Sequence, residues 1–382
     1  MIFFAIVITV YALANIYIFV RGLQAIPSGS PIRIWYVWGF WILAGSFIAG
    51  RFLERIYIGP FTDIIIRIGS FWLAAMLFFF LLVVIFDLGR LVNYFVQFLP
   101  AKGTPAYEQL KLWTFGSSLA LVAILVLAGH INALHPKIRT VEITIDKPAA
   151  DMQRLEAVVM SDIHLGTIID REHLDRIVEK VNNLKPDIIL LPGDILDEDL
   201  EPVIRQNSGE TLRQLSAPLG VYAVMGNHEY IGGGARAYEY LTNHGINVLR
   251  DTSINIGNHF ILVGREDRNK GGFTGNGRKT LDELFSDVDF SYPVILMDHQ
   301  PYYLEEAADQ GVDLQLSGHT HHGQIWPLSL ITKSIYTISH GYGKVGNMQA
   351  YVSNGVGTWG PPVRIGNRPE ILQLIINFAP NE

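Results

Sequence analysis

Residues 155–164 read Leu-Glu-Ala-Val-Val-Met-Ser-Asp-Ile-His, a largely apolar run that ends in two polar side chains. The run Leu155–Met160 predicts a buried strand. Asp162 and His164 are two positions apart, so an extended backbone would direct both to the same side. Four further polar motifs adjoin apolar runs in the same way: Gly193-Asp194, Gly226-Asn227-His228-Glu229, Asp298-His299 and Gly318-His319-Thr320-His321. Because helix-like segments fall between these runs, the pattern predicts an α/β domain with its site at strand ends.

The five motifs supply carboxylate, amide and imidazole groups in an order that can hold two metal ions. Such ligands suit divalent cations such as Mn, Fe or Zn. A pair of these ions can activate water and clamp a phosphoryl group. One histidine after a strand is more often structural than a ligand, but five motifs in series are not expected by chance. The chain has no cysteine, which excludes thiolate metal sites and thiol catalysis. The motifs therefore predict a hydrolase with two divalent metal ions.

The first third of the chain has a different composition and predicts a membrane domain. Four apolar stretches of about 20 residues are each long enough, as helices, to cross a hydrocarbon core of about 30 Å. The expected helices cover about residues 2–20, 34–53, 68–88 and 112–133. Residues 54–67, between the second and third, are expected to form a loop or to lie flat at the interface. We therefore expect a transmembrane domain over 1–135 and the polar domain over 139–382.

The charge distribution bears on partners and orientation. Residues 1–135 carry a net charge of +4, which leaves −11 for the rest of the chain. Since no concentration of Lys and Arg is present, binding of duplex nucleic acid is not expected. Lys and Arg are equally divided between the two faces of the predicted helices, so the positive-inside rule does not decide orientation. The absence of any export signal favours a cytoplasmic polar domain.

The order of the five motifs resembles the calcineurin-like metallophosphoesterase superfamily, over residues 155–375. The later residues Ser353-Asn-Gly-Val-Gly-Thr358, Arg364 and Arg368-Pro-Glu-Ile371 are similar to its bacterial membrane-associated branch, which is related to UDP-2,3-diacylglucosamine pyrophosphatase-like phosphoesterases. The resemblance implies a four-layer α-β-β-α domain after the four transmembrane helices. It also implies a multi-pass protein of a bacterial inner or plasma membrane.

The resemblance assigns roles by motif position. It implies a first metal bound by Asp162, His164, Asp194 and His321. It implies a second metal bound by Asp194, Asn227, His299 and His319. His228 would donate a proton to the leaving oxygen, and Asp197 would orient it. A hydroxide that bridges the metals would attack phosphorus.

The favoured interpretation is a membrane-anchored phosphoesterase that cleaves a phosphoester or pyrophosphate bond of a lipid-linked or membrane-proximal substrate. Two alternatives stay open: hydrolysis of a soluble nucleotide or phosphoprotein, and a membrane sensor of phosphorylated ligands without catalysis. Substrate-binding residues are not assigned by the motifs. Six side chains are candidates for substrate contact: Tyr230, Arg265, His322, His340, Trp359 and Arg364. The segment Tyr336–Phe378 is expected to close the domain as a second sheet.

Overall fold

The computed structural model describes residues 2–54 and 56–380, which form two compact units. The first unit holds residues 1–130 with 360–363, and the second holds 131–359 with the residues from 364 onward. The division between the units, after His130, falls within the last turn of the fourth long helix, which ends at Ala133. Residues 360–363 also belong to the first unit, and nothing in the hydropathy pattern predicts this assignment.

Four long helices build the first unit, and all four are apolar enough to cross a membrane, as predicted. They are α1 Ile2–Ala25, α2 Ile32–Glu54, α3 Pro60–Val96 and α4 Pro105–Ala133. The largest difference from expectation is α3, whose 37 residues extend on both sides of the predicted span. Most of the expected loop 54–67 is therefore helical. Pro60 stands in the first helical turn, where a missing N–H costs nothing.

Close packing between α2 and α3 depends on a small residue. A Cβ atom at Gly69 of α3 would overlap the backbone of Phe47 in α2, so glycine is required for this approach. Aromatic rings fill the adjoining space, with Phe40 and Trp72 edge to face at 5.0 Å between centroids. The Trp72 indole donates a hydrogen bond of 2.9 Å to Asn15 Oδ1, which satisfies a polar group inside the bundle.

The second unit contains two six-stranded sheets. Its strands are β1 Lys137–Pro148, β2 Arg154–Val159, β3 Ile188–Pro192, β4 Val221–Val224, β5 Asn247–Val248, β6 Thr252–Ile256, β7 Phe260–Gly264, β8 Val294–Met297, β9 Leu314–Ser317, β10 Gly341–Val345, β11 Met348–Val352 and β12 Glu370–Ala379. The first sheet has the order β1-β12-β2-β3-β4-β5, and the second has the order β10-β11-β9-β8-β7-β6.

Eight helices connect or flank these strands. They are α5 Arg171–Asn183, α6 Glu201–Arg205, α7 Ser208–Leu212, α8 Asn227–Asn243, α9 Lys270–Thr274, α10 Leu281–Phe285, α11 Leu304–Asp309 and α12 Ser329–Ile335. In α5 the apolar residues Leu174, Ile177, Val178 and Val181 recur at helical spacing and are all buried. Asp170 caps this helix by accepting a hydrogen bond from the backbone N–H of His173.

The alternation of side chains along the strands creates three apolar layers. In β2, Val158 packs with α5 and α8, whereas Ala157 and Val159 face the second sheet. In β8, Ile295 faces the first sheet, whereas Leu296 packs with α10 and α11. Helices therefore cover the outer face of each sheet, and the two inner faces share one core. This arrangement is the predicted four-layer α-β-β-α fold.

The last strand contradicts the prediction for the segment Tyr336–Phe378. Only β10 and β11 join the second sheet, whereas β12 lies in the first sheet between β1 and β2. It runs parallel to β1 and antiparallel to β2. One face of β12 packs in the inner core through Leu372, Leu374, Ile376 and Phe378, whereas Gln373 and Asn377 on the other face are partly buried. The prediction was wrong because strand order depends on pairing between distant segments.

Candidate metal centre

The polar motifs meet because they follow parallel neighbouring strands. In the first sheet β2, β3 and β4 are parallel neighbours, and their motifs begin just after each strand ends. In the second sheet β8 and β9 are likewise parallel neighbours. The carboxyl ends of parallel strands lie at one edge of a sheet, and polar side chains placed there converge. The edges of both sheets contribute ligands to the same place.

Asp162, His164 and His321 form the first ligand group, with one ligand atom from each within 4.8 Å of the others. The Nε2 atoms of His164 and His321 are 3.0 Å apart. Asp162 Oδ1 lies 3.5 Å from Nε2 of His321 and accepts a 2.8 Å hydrogen bond from the backbone N–H of His319. The other oxygen of Asp162 accepts from the Ser161 hydroxyl. All three residues are buried.

Asp194 joins this group to a second one. Its Oδ2 atom lies 3.9 Å from Nε2 of His164 and 3.0 Å from Nε2 of His299. A second potential ligand group consists of Asp194, His299 and His319. Oδ1 of Asp194 accepts a 2.9 Å hydrogen bond from the backbone N–H of His228, which follows Asn227 directly. A single carboxylate thus stands between two sets of imidazoles.

Two buried atoms at this site have no hydrogen-bond partner among the residues that the structure describes. They are Nδ1 of His164 and Oδ1 of Asn227. A buried polar atom without a partner costs about 1–3 kcal/mol, so such atoms rarely occur together without a ligand. Imidazole nitrogens, carboxylates and one amide oxygen are a donor set for divalent transition metals. The residues present therefore fit two divalent metal ions.

The histidines of the site differ in pKa. For His299, burial acts to lower the pKa, but the Asp194 carboxylate outweighs it and holds the pKa well above its usual value. Burial lowers the pKa of His319 to about 3 and holds the pKa of His321 well below its usual value, so both rings are neutral and can act as ligands. Burial also acts to lower the pKa of His228. There the carboxylates of Asp194 and Asp197 outweigh it and raise the pKa to about 9.

His228 is held by a carboxylate and covered by an exposed aromatic ring. Nδ1 of His228 lies 3.0 Å from Oδ1 of Asp197. This contact holds the ring through Nδ1, so Nε2 is the nitrogen that Asp197 does not engage. The ring of Trp359 stands edge-on at 5.8 Å between centroids, and Trp359 is 51% exposed.

The backbone is strained where the potential ligands are. Five of these residues have φ in the left-handed region: Asp162 at 53°, His164 at 54°, Asp194 at 52°, His319 at 70° and His321 at 44°. Such conformations are uncommon outside glycine and cost on the order of 1–3 kcal/mol each. Their concentration here indicates that the loops are shaped for the positions of the side chains rather than for stability.

Two motif glycines allow these loops to approach the carboxylates. A Cβ atom at Gly226 would overlap the carboxylate of Asp194, and a Cβ atom at Gly318 would overlap that of Asp162. Any larger residue at either position would displace a potential ligand. Gly226 and Gly318 are therefore part of the site, because each leaves room for the carboxylate of another motif.

Comparison with known proteins agrees with this geometry. Residues 156–323 match the model of the calcineurin-like phosphoesterase family. A zebrafish (Danio rerio) transmembrane protein with a metallophosphoesterase domain is 30% identical over 376 residues, which cover 94% of this chain and 84% of the relative. The chain belongs to the calcineurin-like phosphoesterase family. It is therefore a metal-dependent phosphoesterase, and the predicted class of hydrolase is confirmed.

Two bacterial relatives extend the comparison. A metallophosphoesterase of Campylobacter jejuni is 29% identical over 384 residues, which cover 98% of each chain. One of Helicobacter pylori is 32% identical over 284 residues, which cover 73% of each chain. Together with the four long apolar helices, the similarity to the zebrafish transmembrane protein indicates a membrane protein. The similarity to the UDP-2,3-diacylglucosamine pyrophosphatase-like branch stays a prediction.

Glu229 is a residue of this phosphoesterase site to which the motif analysis gave no role. It is buried, and its carboxylate accepts three backbone hydrogen bonds: from Gly226 at 2.8 Å, Leu196 at 2.8 Å and Asp194 at 3.2 Å. These bonds tie the loop after β3 to the loop after β4. Burial, and then the nearby Asp194 carboxylate, raise the pKa of Glu229. Its position in the motif next to His228 was the only available signal.

Three of the six candidate substrate contacts are engaged in hydrogen bonds or ion pairs within the protein. Arg364 is fully buried and donates to the backbone carbonyls of Gly355 and Gly357 and to Nδ1 of His321. Arg265 is buried against Asp298, and the Tyr230 hydroxyl donates to Glu266.

The remaining candidates divide between a pocket and the surface. His322 and His340 face each other with 3.7 Å between ring centroids, in a pocket of about 330 Å³. Only Trp359 of the six candidates is largely exposed.

Proposed function

We propose that this phosphoesterase is anchored in a membrane and cleaves a phosphoester or pyrophosphate bond of a lipid-linked or membrane-proximal substrate. The anchor rests on the four apolar helices of the first unit. The lipid character of the substrate rests on a separate observation in the second unit. That observation is an exposed apolar surface that begins next to the metal-binding motif of His321.

This apolar surface consists of Trp326, Leu330, Ile331 and Ile335, on and just before α12. Their exposed fractions are 54%, 61%, 55% and 53%. The helix follows the short turn His321–Gly323 by only a few residues, and none of its residues is buried. Contiguous exposed apolar groups on a soluble domain commonly mark a site of interaction with lipid or protein. Next to a phosphoesterase centre, such a surface supports a substrate that has a hydrocarbon part.

In this proposal the motif positions carry the roles that the family resemblance implies. Asp162, His164, Asp194 and His321 hold one ion. Asp194, Asn227, His299 and His319 hold the other. When bound, the two ions supply Lewis acidity at the phosphoryl oxygens and activate water. Mn, Fe and Zn all suit this donor set.

The chain's own groups bind, orient and move protons. In this proposal His228 donates a proton from Nε2 to the leaving oxygen, while Asp197 holds the ring through Nδ1. The Asp194 carboxylate lies close to both sets of imidazoles and holds the two ligand groups in position relative to each other. The edge of the Trp359 ring limits the space beside His228, so it orients the leaving group. General acid catalysis of this kind contributes about 10²–10⁴-fold to the rate.

A first experiment tests the proton donor. Replacement His228→Ala should lower turnover of an aryl phosphodiester by about 10²–10⁴-fold. Metal content, measured by plasma mass spectrometry on the purified full chain, should remain near two ions per chain. Loss of one ion would make His228 a ligand instead, and unchanged turnover would remove it from the reaction.

A second experiment tests the substrate class. The full-length protein is assayed in mixed micelles with phosphatidic acid and diacylglycerol pyrophosphate, and in parallel with a soluble aryl phosphodiester, a nucleotide and a phosphopeptide. Replacement Leu330→Ser with Ile331→Ser should raise KM for the lipid substrates about tenfold through lost apolar contact. The same change should leave turnover of the soluble aryl ester as it was.

Ile204→Ser is the matched control, because Ile204 is also exposed but lies on α6. It should alter neither activity. A higher kcat/KM for the nucleotide or the phosphopeptide than for every lipid would refute the lipid proposal in favour of a soluble substrate. Binding without turnover of any compound would favour the sensor.

A further inference from the structure

The four helices of the first unit surround a cavity of about 520 Å³. Ligand sites commonly range from about 300 to 1,000 Å³, so this space can hold a small molecule or a hydrocarbon chain. It extends along α4 from Tyr107 to Leu119. At the helical rise this stretch is about 18 Å long. The cavity is therefore elongated along the helices.

Its walls are apolar over most of this length. Phe40, Leu43, Trp72, Phe79, Val83 and Phe115 are among the side chains that line it. A lining of this kind excludes a polar ligand, since nothing would replace the ligand's bonds to water. The walls instead suit a hydrocarbon chain.

Three cations stand together at one end of the cavity. Arg21 lies near the end of α1, Arg90 near the end of α3 and Lys111 near the start of α4. Asp87 contacts both arginines, at 2.6 and 2.7 Å, and Glu108 contacts Lys111 at 2.8 Å. Neither carboxylate lines the cavity. The cluster keeps one positive charge in excess, and each guanidinium has more donors than these contacts use.

Two glycines leave room inside this space. Gly39 of α2 and Gly89 of α3 both line the cavity, and no heavy atom lies within 4 Å of the point where a Cβ would stand at either position. By contrast, a Cβ at Gly22, which also lines the cavity, would overlap the Tyr36 ring. Gly39 and Gly89 are thus positions where a larger side chain would enter open space without disturbing a neighbour.

We propose that this cavity binds one anionic phospholipid of the bilayer, with an acyl chain along the apolar walls and the phosphate at Arg21, Arg90 and Lys111. Basic pockets between transmembrane helices are known to suit such headgroups. No Asp, Glu or His lines the cavity among the residues that the structure describes. The site therefore lacks ligands for catalytic metals, and the lipid is a resident ligand rather than a substrate. This inference does not depend on the proposed function.

The test uses the full-length protein in nanodiscs that contain phosphatidylcholine with or without phosphatidylglycerol. After transfer to mild detergent, retained lipid is counted by native mass spectrometry. The wild type should keep about one phosphatidylglycerol per chain and no phosphatidylcholine. Replacement Arg90→Gln with Lys111→Gln should weaken retention about tenfold, because charge-assisted contacts to phosphate are lost.

Because loss of charged groups can disturb folding, a second variant keeps every charge. Gly39→Leu with Gly89→Leu should fill the cavity and abolish retention, while turnover of a soluble aryl phosphodiester stays at the wild-type level. Lys102→Gln and Gly116→Leu are the controls, since neither residue lines the cavity and a Cβ at Gly116 also meets open space. Both controls should retain the lipid.

Three results would overturn the proposal. One is equal retention of the two lipids. Another is full retention by the filled variant. The third is hydrolysis of phosphatidylglycerol that disappears in His228→Ala, which would make the lipid a substrate. Failure of the aryl phosphodiester assay in the wild type would count against the proposed function instead, and retention would still be measurable.

Discussion

Replacing Glu229 with glutamine isolates the role of a carboxylate that touches no substrate. Its two oxygens accept three backbone N–H groups, from Asp194, Leu196 and Gly226. A glutamine retains one oxygen, and its NH₂ group must face at least one of these donors. A hydrogen bond to a charged acceptor contributes about 1.5–3 kcal/mol, and the removal of repulsion from Asp194 offsets part of this loss. The expected net cost is about 2 kcal/mol.

For a domain of this size, a loss of about 2 kcal/mol lowers the unfolding midpoint by about 4–8 °C. The Asp194 backbone N–H loses part of its anchor, so metal affinity should fall about 10–100-fold, as is usual when a supporting hydrogen bond is removed. Thermal unfolding in detergent measures the first effect, and competition with a chelator measures the second.

Glu239→Gln is the matched control, because Glu239 is an exposed glutamate of the same helix. It should move neither quantity. If Glu229→Gln were as stable as this control and retained its metals equally well, the carboxylate would not be what holds the two loops together.

Three other predictions concern the site, the pH dependence of stability and the topology. Gly226→Ala should displace the Asp194 carboxylate and lower metal content and turnover at least ~10-fold, whereas Gly272→Ala, in open space, should preserve both. Burial, and then the charge of Arg176, lower the pKa of His173 to about 4. The unfolded chain therefore binds a proton first, and stability should fall by up to about 3 kcal/mol as pH drops from about 6.5 to 4. His173→Leu should flatten that part of the unfolding curve, and an unchanged slope would assign it to other groups. Because the chain has no cysteine, single replacements Ser28→Cys and Ser286→Cys can report topology by labelling with an impermeant thiol reagent. Ser28 follows the first span and Ser286 follows the fourth, so four spans place the two residues on opposite sides of the membrane. Ser286→Cys should be labelled from the cytoplasmic side. Labelling of both residues from one side would contradict the four-span topology.

Local patterns were enough to predict the strands that carry the ligands. Runs such as Leu155–Met160 and Val294–Met297 are short, apolar and followed at once by polar motifs. The apolar pattern and the polar residues that end it therefore both indicate a strand. Parallel neighbours then bring these motifs to one edge, and the structure places Asp162, Asp194 and the ligand histidines together. The predicted role of each of these residues awaits experiment.

Other features depend on contacts that a linear pattern does not contain. Glu229 acts through backbone N–H groups of two loops, and such groups have no residue identity to read. Arg364 has the side chain of a substrate contact, but it donates to the carbonyl oxygens of Gly355 and Gly357 and to Nδ1 of His321. The insertion of β12 depends on pairing with strands more than two hundred positions away. The exposed helix α12 carries three apolar residues, Leu330, Ile331 and Ile335, and a sequence does not show whether such residues are buried or exposed.

The position of β12 has a consequence for biosynthesis. Lys137 pairs with Glu370, and among the strands that the structure describes β1 has no neighbour other than β12. At about 5–20 residues per second, a ribosome needs on the order of tens of seconds to make the intervening segment. During this interval β1 has no strand to pair with, and the edge of β2 is open to pairing with other chains. Nascent chains that stop before Glu370 should therefore aggregate, although they contain every predicted metal ligand.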